Sequence, residues 1–463
     1  MNFYGRKAEL QQLSDFLLHS PDSLAVVYGR RRVGKSELLR KAVRDSGLHC
    51  VFYECRQTRE SLNLATLSDA IRIQSGLPMR TPSSLDEVLE YLFAAAEKEP
   101  LVLVLDEYPY LQSLIKGADS ILQAMIDRHS NRSKLKIILC GSYVDIMTAM
   151  LDYASPLYGR SGLVLHLKPM DYLEASAFYP EFSNEDKVRL YAVFGGIPAY
   201  TRKIDSALTV KENILKLVGT KDSELSLAIN YFLVSEVSKI NNANSVFAFL
   251  SQSDLKFSDL LAKTEISSGA ALSYTLAKLS AMGLVEKRAP INDEQNKRRV
   301  LYRISDPLTR YYYRYVERNQ DSIMVMGPEA AFEHFAAAEF ESQFVPKAFE
   351  EICRQFLIRL NKAGKIVPPF FKIGRYYYDL PKEKRNGEFD VVTQDNLGYT
   401  AYEIKFRSRP LTQTDIDHEM QQFADSPLPF NRYGFISRSG FDGVEANEFL
   451  RLFTMDDVYG LEC

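Results

Sequence analysis

Gly29-Arg30-Arg31-Arg32-Val33-Gly34-Lys35-Ser36 has the spacing G-x-x-x-x-G-K-S, between an apolar run from Leu24 to Tyr28 and a helical run. That order is what a phosphate cradle needs. Gly29 and Gly34 let backbone N–H groups turn inward on the β- and γ-phosphates. Lys35 reaches the same phosphates, and the Ser36 hydroxyl ligates Mg²⁺. The stretch from Gly29 through Glu37 opens a helix whose positive end faces the anion. A ligand-free strand–helix turn is the bland alternative, and the complete motif in this context leaves it little room.

A second apolar run, Leu101 to Leu105, ends in Asp106 and Glu107. There Asp106 would hold Mg²⁺, directly or through water, and Glu107 would polarise an attacking water. A third run, Lys134 to Ser142, ends in a serine that either senses a γ-phosphate or closes a turn. Strands alternating with helical stretches predict a parallel sheet with right-handed crossovers.

Far downstream, Gly387 to Arg407 reads as a hairpin turning at Asn396 and Leu397. A symmetric register sets Asp390 opposite Glu403, a like-charge pair that destabilises a hairpin. Strand side chains alternate faces, so one face is apolar, with Phe389, Val391, Tyr402 and Ile404. The other carries Glu388, Asp390, Glu403 and Lys405. A divalent cation resolves the conflict, since Mg²⁺ accepts one or two carboxylates and keeps several waters. Such an ion polarises a phosphodiester and activates water, and Lys405 would orient that water or stabilise developing charge.

The elements that must position these groups occupy 463 residues, enough for about three domains. The net charge of −3 excludes a uniformly basic nucleic-acid binder, so any DNA contact must come from local patches. Five scattered cysteines suggest reduced thiols, and six scattered histidines form no zinc pattern. No signal sequence or membrane-length apolar run is visible, which predicts a cytoplasmic protein with no membrane contact.

From Val246 to Ile304 three helical stretches precede a hairpin with a polar tip, the pattern of a winged helix. Its candidate recognition helix, Ser268 to Met282, exposes Ser273, Tyr274 and Lys278. Its wing carries Lys297, Arg298, Arg299 and Arg303, which could contact phosphates. The tyrosine–arginine run after Asp306-Pro307 either stacks on bases or packs inside an amphipathic helix, and packing is the preferred reading. The stretch Phe349 to Leu360 reads as a helix with an apolar face of Phe349, Ile352, Cys353, Phe356 and Leu360, and Glu350 borders it.

Several motifs together resemble the archaeal-type P-loop ATPases, relatives of AAA+ and STAND NTPases. They are the N-terminal "FYGRKAEL", the loop "YGRRRVGKSELL", and then "LVLDEYPYL", "ILCGS" and "SPLYGRSG" in the family's order. The resemblance implies that Arg6 and Glu9 lie near the nucleotide. It places Arg160 where such proteins carry a sensor or finger arginine, although a structural surface arginine fits the residues equally. "FGGIPAYT" resembles the lid element that sets Pro198 near the nucleotide. The hairpin resembles the PD-(D/E)xK nucleases: Asp390, Glu403 and Lys405 match their core, and Glu350 matches their helical acidic residue.

The expectation is therefore an α/β multidomain chain. It has a P-loop ATPase core (1–170), a helical lid (171–240), a winged helix (241–318) and a C-terminal restriction-endonuclease-like domain (330–463). ATP and Mg²⁺ serve the first site, and a second Mg²⁺ or Mn²⁺ serves Asp390, Glu403 and Glu350. The leading functional reading is ATP-dependent DNA processing. The alternative is a STAND-like switch or scaffold that forms homo-oligomers, whose C-terminal domain only binds DNA or protein.

Overall fold

The computed structural model describes residues 3–461 apart from 131, 233–239, 241 and 381–384. It divides into two compact units, Met1–Pro169 with Ile197–Ala199, and Met170–Gly196 with Tyr200–Cys463.

The first unit is built on five strands: β1 (Leu24–Tyr28), β2 (His49–Glu54), β3 (Leu101–Asp106), β4 (Leu135–Gly141) and β5 (Ser161–His166). They run parallel in the order β2-β3-β4-β1-β5. Both faces of the sheet are covered, which is why β1 and β3 read as unbroken apolar runs. Alternation along β1 sends Leu24 and Val26 into one core and Ala25 and Val27 into the other. Because β4 lies between β1 and β3, the loops after all three open on the same edge, where ligands of such sheets bind.

The second unit opens with helices Tyr172–Ser176, Asn184–Phe194, Val210–Val218 and Glu224–Phe232. Side chains of Asp171, Ser183 and Thr209 cap the first three. At Gly196 a Cβ would stand 1.7 Å from the Met170 carbonyl oxygen, so only glycine lets these segments meet. Helix Ala243–Leu250, β6 (Leu255–Lys256), helices Phe257–Lys263 and Gly269–Ala281, and β7 (Val285–Arg288) with β8 (Leu301–Ile304) follow. Their small antiparallel sheet has the order β6-β8-β7. Tyr311, Tyr312, Tyr313 and Tyr315 are all buried, so the tyrosine run packs inside.

The last sheet holds β9 (Lys372–Leu380), β10 (Arg385–Asp395), β11 (Gly398–Lys405), β13 (Phe430–Ser437) and β15 (Leu450–Thr454), in the order β15-β13-β11-β10-β9. β9, β10 and β11 are antiparallel; β11, β13 and β15 are parallel. β12 (Leu411–Thr412) and β14 (Phe441–Asp442) pair separately. Helix Val345–Lys362 buries the expected apolar face, Phe349, Ile352, Cys353, Phe356 and Leu360.

The opening helices, the β7–β8 loop and the terminal sheet are cross-braced within this unit. Arg359 binds Asp171 through two bonds of 2.6 and 2.8 Å, and the Tyr172 hydroxyl donates to the Val458 carbonyl at 2.6 Å. Ile291, in the β7–β8 loop, is buried beside Tyr376 and Phe389, and its N–H donates to the Arg375 carbonyl at 2.8 Å. Arg303 does not face outward as expected of a wing residue. It is 8% exposed and pairs with Glu286 at 2.5 Å. Arg298 is exposed and Arg299 lies 3.7 Å from Asp293, whereas the Lys297 side chain lies outside the described residues.

Candidate nucleotide and carboxylate sites

The loop after β1 is held from several sides. A Cβ on Gly29 would lie 2.2 Å from the Leu167 carbonyl oxygen, so glycine is required there. Val33 is fully buried in the core and anchors the loop, while Arg32 is exposed with a left-handed backbone, φ 70°. Arg6 is 3% exposed. It donates to the Val33 carbonyl at 3.3 Å and the Lys168 carbonyl at 2.6 Å, and pairs with Glu9 at 3.0 Å. It therefore braces the loop by its backbone. The Glu37 side chain points to solvent, 3.8 Å from Arg40.

Lys35 opens helix Lys35–Ser46 and curls back over the loop. Its Nζ donates to the Gly29 carbonyl at 2.8 Å, the Arg30 carbonyl at 3.2 Å and Ser142 Oγ at 2.8 Å. Burial lowers its pKa, against the opposing influence of Cys140, Glu107 and Asp106. Ser142, at the end of β4, donates to Glu107 Oε1 at 2.7 Å, and its N–H reaches Oε2 at 3.2 Å. Ser36 Oγ donates to Asp106 Oδ2 at 2.6 Å, so hydroxyl and carboxylate adjoin as a donor pair suited to Mg²⁺. Pro198 stands over Gly34, with Cγ 3.8 Å from where a Cβ would be. The structure thus brings Lys35, Ser36, Asp106, Glu107, Ser142 and Pro198 to one sheet edge.

The second constellation lies on the terminal sheet. β10 and β11 pair from Val391 with Tyr402 to Asp395 with Gly398, the register expected, and Asp390 and Glu403 adjoin the Val391–Tyr402 pair. On the other side, β10 bulges against β9: Asp390 and Val391 together face Arg375. Bulges re-aim side chains and recur beside functional sites. The bulge was not visible in the sequence, because it depends on which strand flanks β10.

Burial raises the Asp390 carboxyl, and Glu403 adds to it. Burial raises Glu350 to about 7, with Asp390 adding. Burial also raises Glu403 against the pull of Lys405. Lys405 is bound by Glu403 and, at 2.8 Å, by Glu419. Arg375 pairs with Glu388, approaches Asp254 at 3.2 Å, and lies 3.9 Å from both Glu350 and Asp390. Glu419 and Arg375 carried no signal in sequence spacing. Among the described residues no group of three His, Cys, Asp or Glu side chains converges to hold an ion. Glu350 pairs with Lys347 at 2.9 Å.

Residues 3–204 match a family described as an ATPase domain predominantly from Archaea, and residues 312–418 match archaeal and bacterial proteins of unknown function. Residues 3–204 form a P-loop ATPase domain. An uncharacterized protein of Methanocaldococcus jannaschii is 25% identical over 420 residues, 89% of each chain. An uncharacterized ATP-binding protein of the same organism is 21% identical over 290 residues, 50% of this chain and 76% of the relative. The Walker-type ATPase of Pyrococcus abyssi shares the fold, with a TM-score of 0.52 at 22% identity over 67% of this chain and 96% of that one.

Arg160 is the site residue that the ATPase domain places elsewhere. It precedes β5, whose first residue, Ser161, pairs with Leu24 at the start of β1. The phosphate loop follows the other end of β1, roughly 15 Å away at ~3.3 Å per residue. Arg160 instead grips Asp127 through two bonds of 2.8 and 2.9 Å, as a structural surface arginine would. Cys50, Cys55, Cys140 and Cys353 are free thiols. Among the described residues no helix is long and apolar enough to cross a membrane.

Proposed function

We propose that this ATPase couples its nucleotide state to DNA binding and to Mg²⁺- or Mn²⁺-dependent DNA cleavage by the C-terminal sheet. The observation that carries the cleavage reading is the hairpin register, whose last paired step, Val391 with Tyr402, adjoins Asp390 and Glu403, with Lys405 two residues on. A mixed five-stranded sheet preceded by helix Val345–Lys362 supports a PD-(D/E)xK relationship. A divalent ion at Asp390 and Glu403 would supply a Lewis acid and an activated water. Lys405, fixed between Glu403 and Glu419, would hold that water's orientation.

The order helix, β6, helix, helix, β7, β8 supports a winged helix for DNA contact. Ser273 and Tyr274 are exposed on helix Gly269–Ala281. Arg303 leaves the set of phosphate-contacting candidates, because it is spent on Glu286.

The test uses duplex and single-stranded DNA with Mg²⁺ or Mn²⁺, with and without ATP. Wild type should cut and Glu403→Gln should not. No cutting by wild type under any condition, or equal cutting by both, contradicts the proposal. The pairing of Glu403 with Lys405, and Arg375 lying 3.9 Å from Asp390, favour a second reading, a nucleotide-controlled scaffold. That reading expects a nucleotide-dependent change of mass in light scattering.

A further inference from the structure

The segments after β1, β3 and β4 of the ATPase domain meet around one guanidinium. Arg31, in the loop after β1, donates to the Tyr110 hydroxyl at 3.2 Å and the Tyr143 hydroxyl at 3.3 Å. The two hydroxyls lie 3.3 Å apart, and the rings pack edge to face with centroids 5.8 Å apart. The guanidinium carbon is 5.6 Å from the centre of the Tyr143 ring. Tyr110 lies in helix Tyr108–Leu114, just after Asp106-Glu107 at the end of β3, and Tyr143 follows Ser142 on the β4 loop.

The guanidinium is thus held by the same two segments that carry the water-polarising carboxylate and the serine bound to Lys35. Ser142 Oγ accepts from Lys35 Nζ at 2.8 Å, which marks the γ-phosphate end of the cradle. The two hydroxyls accept from the guanidinium and orient its planar fork. Arg160 lies on the opposite sheet edge.

We propose that Arg31 is a catalytic residue, an arginine finger supplied in cis that contacts the γ-phosphate as it is transferred. Tyr110 and Tyr143 are positioning residues that act through it. This goes beyond the ATPase assignment and rests on it. In the step itself the water oxygen bonds to the γ-phosphorus while the bond to the β,γ-bridging oxygen breaks. That electron pair stays with ADP, and the water's proton passes to Glu107 and on to the released phosphate. Arg31 balances the charge spreading over the γ-oxygens and the bridging oxygen.

The test is single-turnover Mg·ATP hydrolysis by the full chain, with mant-ADP binding measured alongside. Arg31→Ala should lower the rate by about 100-fold or more while mant-ADP affinity stays within about threefold. Millimolar guanidinium should restore part of the loss. Arg31→Lys should fold and bind mant-ADP yet remain slow, because a lysine lacks the planar fork. Tyr143→Phe should lower the rate without lowering mant-ADP affinity. A rate for Arg31→Ala within about tenfold of wild type overturns the assignment, as does a loss of mant-ADP affinity that matches the loss of rate. If wild type shows no turnover that depends on Lys35, the ATPase assignment falls with it. If wild type turns over and both Arg31 variants keep pace, only the Arg31 assignment falls.

Discussion

Ser142 Oγ donates to Glu107 Oε1 at 2.7 Å, and so the end of β4 aims the carboxylate at the end of β3. Glu107 also has a left-handed backbone, φ 52°, which lifts it out of the strand. Aim matters for a group that must line up a water. Ser142→Ala should lower kcat roughly tenfold or more and leave nucleotide affinity nearly unchanged. Glu107→Gln should be slower still and hold ATP unhydrolysed. Turnover and filter binding read both, and an unchanged kcat in Ser142→Ala would show that the bond has no catalytic role.

Arg160→Ala should hydrolyse ATP at the wild-type rate, because the arginine lies at the far edge of the sheet on Asp127. An exposed pair of this kind adds little stability. A fall in kcat that grows with protein concentration would instead mean that Arg160 reaches a neighbouring chain's nucleotide.

Glu351 is surrounded by arginines: Arg354 at 2.5 Å, Arg288 at 2.6 Å and Arg303 at 3.8 Å. Burial alone would raise its carboxyl, but Arg354, Arg288 and Arg303 together override burial and hold it well below the usual range. The folded value lies below the unfolded value, ~4.3, so its stabilisation is complete above that pH and fades as acid is added. Glu351→Gln should cost about 3–5 kcal/mol at pH 7, because it leaves buried arginines uncompensated. Urea melts from pH 7 to pH 3.5 should show the gap between wild type and variant narrowing below about pH 4.5. A gap that is constant with pH contradicts this charge assignment.

Gly196→Ala should destabilise the second unit by about 2 kcal/mol or more, because its Cβ would meet the Met170 carbonyl at 1.7 Å. Circular dichroism in urea measures the shift. An unchanged midpoint would mean that the Met170–Gly196 contact, N–H to carbonyl at 2.8 Å, yields easily.

What was legible in the sequence followed the range of the contacts. The phosphate loop is local, and Lys35 finds the carbonyls of Gly29 and Arg30 a few residues away. The register of β10 on β11 was legible because one symmetric turn fixes it. Arg375 and Glu419 were hidden because their places depend on the strand beside β10 and on how helix Gln413–Ala424 is rotated. Motif order left two roles open for Arg160, since order along the chain does not say at which end of a strand a residue emerges. Basic composition misjudged Arg303, since an internal acid, Glu286, was available to take it.

The most direct test of the central claim is Mg·ATP turnover by the full chain beside Lys35→Ala. Lys35 bridges the Gly29 carbonyl and Ser142, so the account predicts hydrolysis by wild type and its loss, by about 100-fold or more, in the variant. Equal turnover by the two proteins would contradict it.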